Sequence, residues 1–66
     1  MDISLNNAAV KLEDGATITA LLAAQSIAET GVAVALNNRI VTRVEWATTE
    51  ISDGDKVTVI QATYGG

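Results

Sequence analysis

Hydrophobic and polar positions alternate with a period of two at both ends of the chain and again in its middle. Ile3 and Leu5 alternate with Asp2 and Ser4, the pattern of a half-buried strand. Asn6-Asn7 follows, and asparagine tolerates positive φ better than most residues, which predicts a tight hairpin turn. Val10 and Leu12, alternating with Ala9 and Lys11, read as the returning strand, ended by Glu13-Asp14-Gly15. The period then changes. Ile18, Leu21 and Leu22 fall at i, i+3 and i+4, one stripe of a helix that Thr17 caps and that runs to about Ser26. Ala20, Ala23 and Ala24 add helix propensity.

Beyond the exit loop Ala28-Glu29-Thr30-Gly31, the chain alternates large with small. Val32, Val34 and Leu36 share one face of a third strand, and the other face holds only Ala33 and Ala35. Asn37-Asn38 predicts a second turn, and Arg39-Ile40-Val41 a short fourth strand. Arg43 to Glu50 shows no clean period and reads as an irregular or single-turn connection, with Trp46 capping one edge of the core. Asp53-Gly54-Asp55 makes the last turn before a strong final strand, Lys56 to Gln61.

This order predicts an α+β domain, a mixed sheet of four to five strands with one helix packed on one face. A single domain should fill residues 1–66, with a flexible tail from about residue 62. Ile3, Leu5, Val10, Leu12, Val34, Leu36, Val57 and Val59 should face Ile18, Leu21 and Leu22. The outer face should hold Ser4, Ala33, Ala35, Thr58 and Ile60, with Lys56 and Asp2 toward its end. Antiparallel sheets commonly leave one face to solvent. This face is mainly small and uncharged rather than polar, which suits docking by a larger protein, with Ile60 as an apolar anchor.

Composition narrows the function. A chain of 66 residues buries only about 60% of its unfolded surface, leaving little room for an enclosed pocket. No apolar run approaches the roughly 20 residues that span a bilayer, so no membrane partner is expected. Cysteine and histidine are both absent. The chain therefore lacks a disulfide framework, the usual general base near neutral pH and the commonest metal ligands. Its serines and threonines have no histidine to activate them. Asp53 and Asp55 offer a hard cation too few oxygens.

A net charge of −4 has the wrong sign for a phosphate backbone, and Trp46 and Tyr64 form no stacking platform. Nucleic acid is not an expected partner; a basic protein is. Arg39 and Arg43 fit either contact with an acidic patch or plain exposed charge. A cytoplasmic protein, monomeric when free and worked upon rather than catalytic, is the expectation.

The chemistry then concentrates at Tyr64-Gly65-Gly66. Two glycines leave the terminal carbonyl uncrowded and reach backbone angles closed to other residues, so the tail can thread into a narrow active site. A frayed terminus or an expression scar is the competing explanation.

Pieces along almost the whole chain align with one pattern: Ile3 to Leu5 with Asn6, Thr17-Ile18 before Leu21-Leu22, and Val34-Ala35-Leu36-Asn37. Ile40-Val41 with Arg43 and Trp46, Asp53-Gly54-Asp55, and Gly65-Gly66 complete it. In this order and spacing the chain resembles the ThiS family, the ubiquitin-like β-grasp sulfur carriers of thiamin biosynthesis. Asn7 stands where a glycine is common in that family, a departure that touches only the turn.

The resemblance implies that Gly66 carries the reactive carboxylate. A partner adenylyltransferase, similar to the ubiquitin-activating enzymes, would join AMP to it, using ATP and magnesium that this chain does not itself bind. Sulfur from a persulfide donor would displace AMP, and the thiocarboxylate would serve thiazole synthase. Gly65, Tyr64, Ile60, Thr58 and Ala35 would meet the partner. Sulfur carriage for molybdopterin or cysteine synthesis, a ubiquitin-like modifier, and a non-covalent interaction domain are the alternatives.

Overall fold

Both Asn-Asn pairs take left-handed angles in the computed structural model, which describes residues 1–61: φ is 50° and 70° at Asn6 and Asn7, and 51° and 67° at Asn38's predecessor Asn37 and at Asn38. Positive φ at both central residues gives a two-residue turn whose twist matches that of the strands it joins. The first turn connects β1 (Asp2–Leu5) to β2 (Ala8–Lys11), pairing Leu5 with Ala8. The second connects β3 (Val32–Leu36) to β4 (Arg39–Val41), pairing Leu36 with Arg39. The last strand, β5 (Lys56–Gln61), runs parallel to β1 and antiparallel to β3, giving a five-stranded sheet in the order β2-β1-β5-β3-β4. The tail expected from about residue 62, with Tyr64, Gly65 and Gly66, lies outside the described residues.

The helix α1 (Ile18–Ala24) buries Ile18, Leu21 and Leu22 against the sheet. Its N-terminal amides are all engaged. Ile18 N donates to Thr49 O, Thr19 N to Trp46 O, Ala20 N to the Thr17 hydroxyl and Leu21 N to Thr17 O. The helix ends two residues earlier than its alanine-rich pattern suggests. Ser26 turns to φ 57°, Ser26 N donates to Ala23 O and Ile27 N to Leu22 O. That pair of bonds is a Schellman stop, with Ile27 folded back onto the core.

Seven helical residues span about 10 Å, whereas five strands are on the order of 20 Å across. One short helix cannot cover such a sheet, and this corrects the expected core. Val10, Leu12 and Leu36 are only partly buried, while the connection before β5 supplies the missing cover. Trp46 is a full core residue, 2% exposed, rather than a cap at its edge, and Ile51 joins it at 3%. A 3₁₀ turn (Arg43–Glu45) delivers Trp46, whose indole N–H donates to Val41 O at 2.9 Å.

Candidate functional site

Strand register fixes which side chains share the face turned away from α1. Val34 pairs with Val59 and Leu36 with Val57 on the helix side, so Ala33 opposite Ile60 and Ala35 opposite Thr58 point outward. Ala35 also pairs with Ile40 of β4, which places a second isoleucine on the same face. Ile60 is 60% exposed and Ile40 67%, two large apolar side chains flanking the low Ala33-Ala35 row. Ser4 and Lys56 pair further along.

The expected outer set, Ser4, Ala33, Ala35, Thr58 and Ile60 with Lys56 and Asp2, thus shares one face. Ile40 is the addition. Its signal lies in the two-residue Asn37-Asn38 turn, which dictates the register and so puts Ile40 opposite Ala35.

Charge is distributed unevenly over this acidic chain. The single acid at an outward strand position is Asp2, whose carboxylate accepts from Lys11 Nζ at 2.8 Å. The hydrogen bond and charge of Lys11 hold Asp2 below the usual carboxylate range, and Asp2 in turn raises Lys11. Among the described residues the apolar end of the face carries no carboxylate.

Asp53 and Asp55 are occupied by the turn itself. Asp53 accepts from Asp2 N at 2.7 Å, and Asp55 accepts from Ser52 N at 2.8 Å and from Asn37 Nδ2 at 3.1 Å. Among the described residues no three acidic, histidine or cysteine side chains group to hold a metal. Arg43 lies 3.8 Å from Glu29 in an exposed ion pair. A groove of about 240 Å³ beside β2 and α1, lined by Lys11, Leu12, Ala20 and Ala24, falls below the roughly 300–1,000 Å³ of ordinary ligand pockets. No described helix is long and apolar enough to cross a membrane.

Asn6 does more than turn the chain. Its Oδ1 accepts from Val59 N at 2.8 Å, and its Nδ2 donates to Val59 O at 3.2 Å. The pattern of apolar positions gives no hint of this clamp.

A helix laid across a mixed five-stranded sheet, with the C-terminal strand between β1 and β3, is the β-grasp fold of ubiquitin-like proteins. Within that class the chain is 35% identical to the sulfur carrier protein ThiS of Escherichia coli (strain K12), over the full length of both. The crystal structure of the thiamine biosynthesis protein ThiS from Geobacter metallireducens matches with a TM-score of 0.86 at 28% identity, covering all of both chains. The NMR solution structure of a thiamine biosynthesis protein from the same organism gives 0.80 at 29% identity, over all of this chain and 88% of that one. The ThiS family model matches residues 3–66, and the chain belongs to that family.

Proposed function

We propose that this chain is the sulfur carrier of a thiamin-forming system, bearing its sulfur on the Gly66 carboxylate. The observation that carries this reading is the ThiS family match, which runs through Gly65-Gly66. A free carboxylate is a poor electrophile, because resonance spreads its charge and its leaving group would be oxide. Attack of a Gly66 oxygen on the α-phosphorus of ATP, with loss of pyrophosphate, creates an acyl-adenylate whose leaving group is AMP. The terminal sulfur of a persulfide displaces AMP to give an acyl disulfide. A thiol then reduces that bond and frees the thiocarboxylate. ATP and magnesium belong to the activating enzyme, and this chain supplies the acyl group.

The face built from Ile60, Ile40, Thr58 and Ala35 is the docking surface in this reading. Two exposed isoleucines with no neighbouring side-chain carboxylate among the described residues can be buried against a partner without desolvating such a charge. Tyr64 and Gly65 follow in the threaded tail, and Gly65 keeps it thin.

The test compares the two forms of the chain with thiazole synthase. The thiocarboxylate form is expected to support thiazole formation and the carboxylate form is not. If the thiocarboxylate feeds only molybdopterin or cysteine synthesis, the choice of pathway is wrong and the carrier class stands.

A further inference from the structure

We propose that Asn6 is a positioning residue for transfer at Gly66, an inference that rests on the carrier reading above. The β1–β5 ladder ends early. Its register pairs are Ser4 with Lys56 and Leu5 with Val57, and Asn6 N then donates to Val57 O at 2.9 Å. From there the backbone of β1 turns away at Asn6-Asn7. The Asn6 side-chain amide takes the next ladder position, accepting from Val59 N and donating to Val59 O as a backbone peptide would. A side chain thus extends β1 along β5 after its main chain has left.

The position of the clamp gives it a bearing on function. Val59 stands seven positions before Gly66, a reach of about 23 Å when extended. Once the outer face is docked and the tail threaded, the point at which β5 releases the chain sets how far Gly66 can reach into the partner's site.

The second Asn-Asn turn provides an internal control. Asn37 holds the other end of β5, accepting from Lys56 N at 2.9 Å and donating to Asp55 Oδ1 at 3.1 Å. Each asparagine opens a two-residue turn at φ near 50° and each makes two side-chain bonds at β5 or the turn before it. Asn6 alone acts at the end from which the chain continues to Gly66.

The experiment uses Asn6→Gly, Asn6→Asp and Asn37→Gly in the full chain with its activating enzyme. Glycine accepts positive φ at either site, so both turns survive and only the amide bonds are lost. Asn6→Asp keeps the acceptor for Val59 N and loses the donor to Val59 O. Initial rates of pyrophosphate release are measured at saturating ATP while the carrier is varied. Amide hydrogen exchange is followed at Val59, Ile60 and Gln61.

Asn6→Gly should lower kcat roughly three- to tenfold, part of the hundredfold that a 1 Å misplacement can cost, with KM changed less than about twofold. Exchange at Val59 should rise. Asn6→Asp, which turns a carboxylate oxygen toward Val59 O, should lose at least as much as Asn6→Gly. Asn37→Gly should leave kcat unchanged within about twofold, even if it melts as low as Asn6→Gly.

Equal kinetic losses in Asn6→Gly and Asn37→Gly would reduce Asn6 to general stability and overturn the proposal. So would an unchanged kcat in Asn6→Gly. If the parent chain itself yields no adenylate, the carrier reading fails, and unchanged exchange at Val59 in Asn6→Gly would remove the clamp as well.

Discussion

Replacing Ile60 by aspartate separates the proposed docking face from the core, because the two sides of β5 face different surroundings. Ile60 is 60% exposed in the free domain, so about two-fifths of its surface is already covered. Full burial of such a side chain contributes about 1.5–3 kcal/mol, so its loss costs the fold about 1 kcal/mol. For a domain of this size that lowers Tm by about 4–8 °C and leaves it folded at room temperature. The remaining three-fifths is available to a partner and contributes about 1–2 kcal/mol on docking. Ile60→Ala should therefore raise Kd for the activating enzyme by roughly 5- to 30-fold.

Ile60→Asp should go beyond that, because a carboxylate placed at the centre of the face must be desolvated without a partner, adding a few kcal/mol. A loss of more than about 100-fold is expected, measured by titration calorimetry beside melting curves. Ala20→Asp is the control. It adds the same charge on exposed α1, away from the outer sheet face, where the helix N-terminus favours it. An Ile60→Asp domain that stays folded with unchanged Kd would refute the docking face. Equal weakening by Ala20→Asp would reduce the effect to net charge.

Other consequences follow from single contacts. Ser26→Gly should raise Tm by a few degrees, since relieving a left-handed residue gains on the order of 1 kcal/mol and glycine's extra unfolded entropy offsets part of it. Trp46→Phe should lower unfolding free energy by about 0.5–1.5 kcal/mol through the lost indole hydrogen bond to Val41 O alone, read by denaturant titration. The Asp2–Lys11 pair should act at both pH extremes. Asp2 is depressed, so its contribution holds above its ordinary 3.8 and fades as pH falls through the lowered value. Lys11 is raised, so its contribution holds below 10.5 and fades as pH rises through the raised value. Subtracting the Tm profile of Asp2→Asn from that of the parent chain should leave small losses in those two arms and a flat middle, and no difference in either arm would contradict the pairing.

Alternation carries most of the fold. The period-two runs at Ile3-Leu5, Val32 to Leu36 and Lys56 to Gln61 mark their strands because each strand buries one face, and burial is what alternation records. The asparagine pairs mark both hairpins because few other residues tolerate the angles required. Trp46 and Ile51 are hidden from this kind of reading. They reach the core from a connection with no period, placed there by backbone bonds such as Ile51 N to Ala16 O. The clamp at Val59 is hidden for a related reason. A turn asparagine looks the same in sequence whether its amide faces water or a strand more than fifty residues away. The outer face was legible as small and uncharged, but Ile40 needed the register of the turn before it could be assigned.

If Gly66 carries sulfur, the intact mass of the chain registers it. After incubation with ATP, magnesium, the activating enzyme and a persulfide donor, the chain should gain the mass difference between sulfur and oxygen, and fragmentation should locate it on Gly66. Deleting Gly66 should abolish the gain without unfolding the domain, and Gly65→Val should diminish it by crowding the tail. An unchanged mass with every cognate activating enzyme, from a chain that remains folded, would mean that Gly66 does not carry sulfur and would leave the chain with only its fold.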